Sequence, residues 1–274
     1  MTAAVILAAG YGHENGQSKL LKTLPDGTPI IVQVVKNVRA VGGLKPIVVV
    51  INETYGQSIQ SAIERAGFSG LEFMHQTDRL GAADALNCAL PIFLEDGKLA
   101  SETLVVFGDM PLLSPKLMRD MVAKHREVES KLTISSWPFD PDHKLASCMG
   151  NYAFLVRDDD INHRGTPLVV DKEGESLVVS MYNGMIPQEG DQVLSSLYVV
   201  DTTWAREVLP SIEPMFKGDG FPPEKHMPKL IEKAMISSVP VANVVCRNIA
   251  AEIIGVDAHT PKSYKTVCDL VEGL

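Results

Sequence analysis

Through the first half of the chain, short runs of consecutive apolar residues alternate with longer stretches whose apolar positions recur every three or four residues. The short runs, 3–8, 46–51, 71–75, 103–107 and 131–135, are dominated by Val, Ile, Leu and Phe, as expected of brief strands covered on both faces. The amphipathic stretches, 29–41, 56–66, 81–94 and 114–127, have the length of helices. Strand–helix units in series predict an α/β protein, a three-layer α/β/α sandwich around a mixed, mostly parallel central sheet.

From about Trp137 the pattern changes. Polar turns such as DPDHK and DKEGES separate short alternating segments up to Val200, which predicts hairpins forming an inserted β-rich lobe. A helix over 223–234, strands over 239–246 and 250–256, and a closing helix over 261–272 complete the chain. The whole reads as a single domain with a first half at 1–135, a lobe at 137–235 and closing elements at 236–274. The Pro/Gly-rich stretch FKGDGFPPEKHMP predicts a mobile loop with His226 exposed on it.

Composition narrows the possibilities. A chain of 274 residues with 45% hydrophobic content can bury a large core. Its net charge of −9, with no run of Lys and Arg, argues against nucleic acid as a partner. Cys88, Cys148, Cys246 and Cys268 are scattered without the paired spacing of zinc or redox motifs, so they read as reduced thiols in a cytoplasmic protein. No segment reaches the roughly 18 to 20 apolar residues of a membrane span, and none is expected. The opening MTAAVILAAG has no basic residue ahead of its apolar run and leads into glycine, so it reads as a first strand, not a secretion signal.

Four segments carry chemistry. In LAAGYGHENGQSK, Gly10, Gly12 and Gly16 follow a buried strand, letting the backbone approach a ligand and cradle phosphate oxygens, with Lys19 as counter-charge. The spacing does not fit the dinucleotide fingerprint, whose acid would fall among Lys36, Asn37 and Arg39. In TLVVFGDMPL, Asp109 ends a strand after Gly108 and is a hard oxygen ligand suited to magnesium, although an acid there also fits a turn or helix cap. In AEIIGVDAHTP, Asp257 is placed the same way after Gly255, so that two strand-end carboxylates could share one ion. In FMHQTDRLGAADA, Gln76 can hydrogen-bond a base edge and Gly81 opens a helix whose N-terminus favours polar or anionic groups. A surface glutamine and an ordinary helix start fit that last segment as well.

With these segments in this order, the chain resembles the nucleotidyltransferases of the sugar-nucleotide pyrophosphorylase superfamily, above all the pyrophosphorylase domains of bacterial N-acetylglucosamine-1-phosphate uridylyltransferases. The resemblance implies that Leu7, Ala8, Ala9 and Gly10 hold the triphosphate together with a catalytic Lys19. It also implies that Gln76, Gly81, Ala82 and Gly108 complete the nucleotide site, and that Asp109 and Asp257 bind magnesium. The reaction implied is attack of an acceptor phosphate oxygen on the α-phosphorus of a nucleoside triphosphate, releasing pyrophosphate. The acceptor would be a phosphorylated sugar or alcohol, set against the lobe at Gly165, Ser180 and Ser195.

The sequence departs from that pattern in three places. His13 and Glu14 stand in the stretch where the family usually has an arginine, Ala82 replaces a frequent threonine, and Ser180 and Ser195 stand where the family presents a glutamate and an asparagine. A catalytically silent nucleotide-binding homologue therefore stays open beside the enzyme. So does the smaller molybdenum-cofactor branch, which the short lysine loop also resembles. Trp137 and Trp204 are expected between sheet and lobe, and His75 either in the base pocket or buried and satisfied.

Overall fold

The computed structural model describes residues 1–10, 12–14, 16–78, 80–97, 100–143, 145–146, 154–157, 166–169, 176–180, 189, 191–215, 223–246, 255–256 and 261–273. In chain order its elements are β1 (Thr2–Leu7), a small hairpin of β2 (His13–Glu14) and β3 (Gln17–Ser18), α1 (Ile30–Val41), β4 (Leu44–Asn52), α2 (Gly56–Arg65), β5 (Glu72–Gln76), α3 (Ala82–Ala89) and β6 (Glu102–Phe107). They continue with α4 (Pro115–Glu127), β7 (Leu132–Pro138), β8 (Phe154–Arg157), β9 (Thr166–Val169), β10 (Ser176–Ser180), β11 (Gln192–Asp201), α5 (Thr202–Val208), α6 (Lys229–Ile236), β12 (Val241–Val245) and α7 (Pro261–Glu272).

The expected α/β/α sandwich is present. β5, β4, β1 and β6 lie side by side and parallel, as βα units require. Consecutive apolar residues serve both faces: Ala3, Val5 and Leu7 of β1 join a layer with Leu86 of α3, Trp204 of α5 and Leu230 of α6. Ala4 and Ile6 face the other layer, built on Ile31 and Val35 of α1, Ile59 and Ile63 of α2, and Met118 and Met121 of α4. Burial of each such side chain contributes about 1.5–3 kcal/mol, which is why this pattern specifies the layers.

β11 overturns part of the expected lobe. It runs through the middle of the main sheet, antiparallel to β6 on one side and to β7 on the other, with Tyr198 opposite both Val105 and Ile134. β12 lies parallel to β7. The antiparallel strands β8, β10 and β9 are hydrogen-bonded onto the start of β11, through Gln192 and Val193, so they extend the same sheet. Trp204 likewise sits in the central core and not between sheet and lobe. Residues 255–256 are not in a strand, and 250–254 lie outside the described residues. The expected helix over 81–94 is α-helical only to Ala89 and continues as a 3-10 turn.

A third, smaller core ties the periphery together: Leu24, Ile30, Trp137, Val193, Val256 and, from α7, Val267. No described helix is long and apolar enough to cross a membrane.

At the amino ends of the strands lies a buried polar cluster. Thr2 and Arg126 donate to Glu102, at 2.6 Å from Thr2 Oγ1 and 2.7 Å from Arg126 Nε. His125 Nδ1 meets Thr133 Oγ1 at 2.9 Å and Ser130 Oγ at 3.1 Å, and Lys131 pairs with Asp201 at 2.7 Å. Burial holds His125 below its ordinary value despite the nearby Glu102 and Asp201 carboxylates. Burial would raise Glu102, but its bonds from Arg126 and Thr2 outweigh this and hold the carboxyl low. Below about pH 6.5 the unfolded chain binds a proton at His125 that the folded state resists, so stability falls as pH drops through that value. The lowered carboxyls of Glu102 and Asp201 add a further loss only below about pH 4.5. Thermal unfolding is thus expected at lower temperature at pH 5.5 than at 7.5. His125→Asn should shrink that difference, and an unchanged difference in the variant would exclude His125 as its source.

Candidate active site

Segments distant in sequence meet at the carboxyl edge of the parallel strands, the edge at which open α/β sheets bind ligands. β1 and β6 pair residue for residue from Thr2↔Glu102 to Leu7↔Phe107, so the loops leaving them start as neighbours. Gly108 closes the join. Its amide donates to Leu7 O at 2.9 Å, and a Cβ there would stand 3.1 Å from that oxygen and 3.2 Å from Ile31 Cδ1. Gly108 is therefore a packing glycine, and Asp109 leaves the sheet directly beside the β1 loop.

That loop is folded by local bonds. The β2–β3 hairpin turns at Gly16, with φ +77°, and Lys19 N donates to Gly12 O at 3.0 Å. Ser18 Oγ accepts from Leu20 N and caps the short turn Lys19–Leu21, whose Leu20 is buried in the α1 layer. With both neighbours anchored, Lys19 Nζ reaches Asp109 Oδ2 at 2.6 Å. The two side chains are 16% and 24% exposed, so the pair is shielded yet accessible to a ligand. The side chains of His13 and Glu14 lie outside the described residues.

The closing elements reach the same place. Val256 N donates to Asp109 O at 2.8 Å, and Gly255 stands beside Asp109 Oδ1, where a Cβ would approach to 3.4 Å. Asp257, expected as the second metal ligand, lies outside the described residues. Among the described residues no group of three or more His, Cys, Asp or Glu could hold a metal. Magnesium, however, commonly takes one or two carboxylates and fills its shell with water and phosphate oxygens. An Asp109 carboxylate at the sheet edge, with a side-chain-free residue beside Oδ1, has the chemistry of one such ligand. From α7, Tyr264 Oη donates to Thr23 O at 2.5 Å and its ring lies 4.7 Å below Lys22 Nζ, fixing the exit of the lysine loop.

Of the LAAG stretch, Leu7 and Ala8 belong to the sheet: both side chains are buried, Leu7 O accepts from Gly108 and Ala8 N donates to Val50 O at 2.8 Å. Ala9 and Gly10 follow beyond the strand, Gly10 being exposed. Their carbonyls are held by Asn52, whose Nδ2 lies 3.0 Å from Ala9 O and 3.3 Å from Gly10 O, while its Oδ1 accepts from Tyr55 N. Sequence reasoning missed Asn52, although an asparagine ending the run IVVVIN was the available signal.

Gln76 is buried and its Nε2 donates to Gly81 O at 3.0 Å and Asp84 Oδ2 at 2.9 Å. Both bonds run from Nε2 to acceptors, so the two amide hydrogens are engaged and the Gln76 carbonyl oxygen is left as an acceptor. Asp84 was also missed. Gly81 has φ +89°, and a Cβ there would meet Lys225 O at 2.8 Å and Lys225 N at 2.9 Å. Lys225 N donates to Leu80 O and Lys225 O accepts from Ala83 N, so the chain at 224–225 occupies part of the expected open end of α3, which Ala82 begins. His226 is buried, contrary to expectation, and His75 is exposed and so is not the buried histidine that was one of its two expected states.

Of the expected acceptor residues, Ser195 alone is described with its side chain. Ser195 is fully buried, its hydroxyl bonded to Ser135 Oγ across β7 and β11, so it has no free face for a ligand. Ser180 pairs through its backbone with Phe154, its side chain being outside the described residues, as is all of Gly165.

The model of the MobA-like NTP transferase domain matches residues 4–158. This chain belongs to that family. The MobA-like match contains Lys19, Gln76, Gly81 and Asp109. Over 93% of its length the chain is 28% identical to the bifunctional protein GlmU of Exiguobacterium sibiricum, but it spans only half of that relative. The fold matches a CMP:2-keto-3-deoxy-manno-octonic acid synthetase solved with CTP, at TM-score 0.68 and 15% identity, covering 99% of this chain and 98% of that one. It also matches a putative glucose-1-phosphate thymidylyltransferase of Bacillus anthracis, at TM-score 0.67 and 14% identity, covering 100% and 96%.

Two glycines separate backbone strain from contact. Gly27 has φ +82° with nothing within 4 Å of a Cβ, whereas Gly81 adds the collision with 224–225. Gly27→Ala should cost about 1 kcal/mol, and Gly81→Ala about 2–3 kcal/mol. Equal unfolding temperatures for the two variants in a calorimeter would contradict the contact.

Proposed function

We propose that the protein is a magnesium-dependent nucleotidyltransferase that moves a nucleoside monophosphate from a triphosphate to a phosphorylated acceptor, with a sugar 1-phosphate as the acceptor class. The observation that carries this reading is the meeting of Lys19 and Asp109, ninety residues apart in sequence, at the ligand-binding edge of the sheet. A mimivirus relative named for UDP-N-acetylglucosamine pyrophosphorylase activity, 29% identical over 48% of this chain, supports the acceptor class.

In this reaction an acceptor phosphate oxygen attacks the α-phosphorus, the bond from that phosphorus to the bridging β-oxygen breaks, and pyrophosphate carries the electron pair away. Such transfers depend on in-line positioning and charge neutralisation more than on an acid or base. The amides of Ala9 and Gly10, their carbonyls tied back by Asn52, receive phosphate oxygens. Lys19 stabilises the charge that grows on the phosphates, and the Gln76 carbonyl accepts from the base beside Gly81. A magnesium ion held by Asp109 and Asp257 would supply further neutralisation. We assign residues 1–135 to the nucleotide, the region within 137–235 that carries β8 to β10 and Ser180 to the acceptor, and 236–274 to the second carboxylate. Free thiols at Cys88, Cys246 and Cys268 suit a reducing, cytoplasmic setting.

Pyrophosphate release over a panel of triphosphates and sugar phosphates tests the proposal. Turnover should require magnesium, and Lys19→Ala should lower kcat by about 100-fold or more. A partly exposed ion pair contributes only about 1 kcal/mol, so the variant's unfolding temperature should stay within about 4 °C of the parent. Nucleotide binding without turnover across the panel would favour the silent homologue instead.

A further inference from the structure

The ion pair at the centre of the site points to more than a shared location. Lys19 Nζ sits 2.6 Å from Asp109 Oδ2, and it is held there by its anchored neighbours, the Ser18 cap and the buried Leu20. On the other flank the Asp109 backbone carbonyl takes the Val256 amide, and a Cβ added at Gly255 would come no nearer than 3.4 Å to Oδ1. An ammonium and a divalent cation on one carboxylate repel each other strongly at such separations, the more so in a shielded site.

We propose that Lys19 and the divalent cation compete for Asp109, so that a triphosphate, by drawing the Lys19 ammonium onto its phosphates, opens the carboxylate to the metal. This rests on the nucleotidyltransferase reading of the site. Lys19 then has two partners in succession, the carboxylate and the phosphates, and Asp109 likewise has two, the ammonium and the metal. Each ligand removes the competitor of the other, so metal and nucleotide bind with positive cooperativity, and by linkage the effect is mutual. Metal does not settle in the site ahead of substrate, and triphosphate without metal is held poorly because Lys19 is detained by Asp109.

The test reads binding, not turnover. Manganese, which shares magnesium's preference for oxygen ligands, is titrated into the full chain without nucleotide and its free concentration followed by paramagnetic resonance. Lys19→Met and Lys19→Gln should each bind manganese about tenfold more tightly than the parent. Asp109→Asn should abolish that site in either background. Lys22→Met, which removes the ammonium over the Tyr264 ring, should change affinity by less than about twofold. In the reciprocal arm, with chelator present, inorganic tripolyphosphate is titrated by calorimetry. Asp109→Asn should bind it about tenfold more tightly than the parent, a gain absent from the Lys19→Met/Asp109→Asn double variant. Unchanged or weaker manganese binding in both Lys19 variants, an equal gain in Lys22→Met, or tripolyphosphate binding indifferent to Asp109 would overturn the proposal. Turnover by the parent together with any of these results removes the competition alone. Absence of turnover with the competition intact removes the catalytic reading alone.

Discussion

The in-register parallel pairing of β1 with β6 is the constraint on which the site depends. Two strands a hundred residues apart end level with one another, so whatever follows them must share one small space. Gly108 is the residue that tolerates this closeness, because a side chain there would press on the Leu7 carbonyl and Ile31. Everything else adjusts around that junction: the hairpin that returns Lys19, the amide of Val256 on Asp109, and the third core that fastens α7 beneath the loop exit.

Two sources of order position the charged pair. Apolar burial at Leu20, Leu24 and Ile30 fixes where the loop leaves and re-enters the body. Buried polar groups with fixed partners then set its finer shape, with Asn52 holding the Ala9 and Gly10 carbonyls and Ser18 capping the lysine turn. An asparagine with 0% exposure is costly to bury unless its amide is satisfied, and here both ends of the amide are used.

Much of the fold was legible because doubly covered strands announce themselves as unbroken apolar runs, and the predicted strands 3–8 and 103–107 match β1 and β6 to within a residue. β11 was misread for a physical reason. Its sequence QVLSSLYVVD breaks an apolar run with two adjacent serines, which reads as a partly exposed segment, yet Ser195 is buried by bonding to Ser135 and not by facing water. Lys19 and Asp109 were legible as candidates, the one after a glycine loop and the other at a strand end, although an acid there also fits a turn or cap and the bond between the two was not foreseen. Asn52 and Asp84 were not, because their partners, the Ala9 carbonyl and the Gln76 amide, are set by folding and leave no spacing to read. Trp204 and His226 belong to the same class, their burial being decided by helices and loops that pack from elsewhere.

The contact between Gly81 and residues 224–225 is made largely by main chain. It joins the turn after Gln76 to the later part of the chain largely through main-chain atoms. Evolution can thus exchange the side chain at Lys225 without loosening that joint, while the glycine opposite has no substitute. Drift should be permissive on one side of the seam and forbidden on the other.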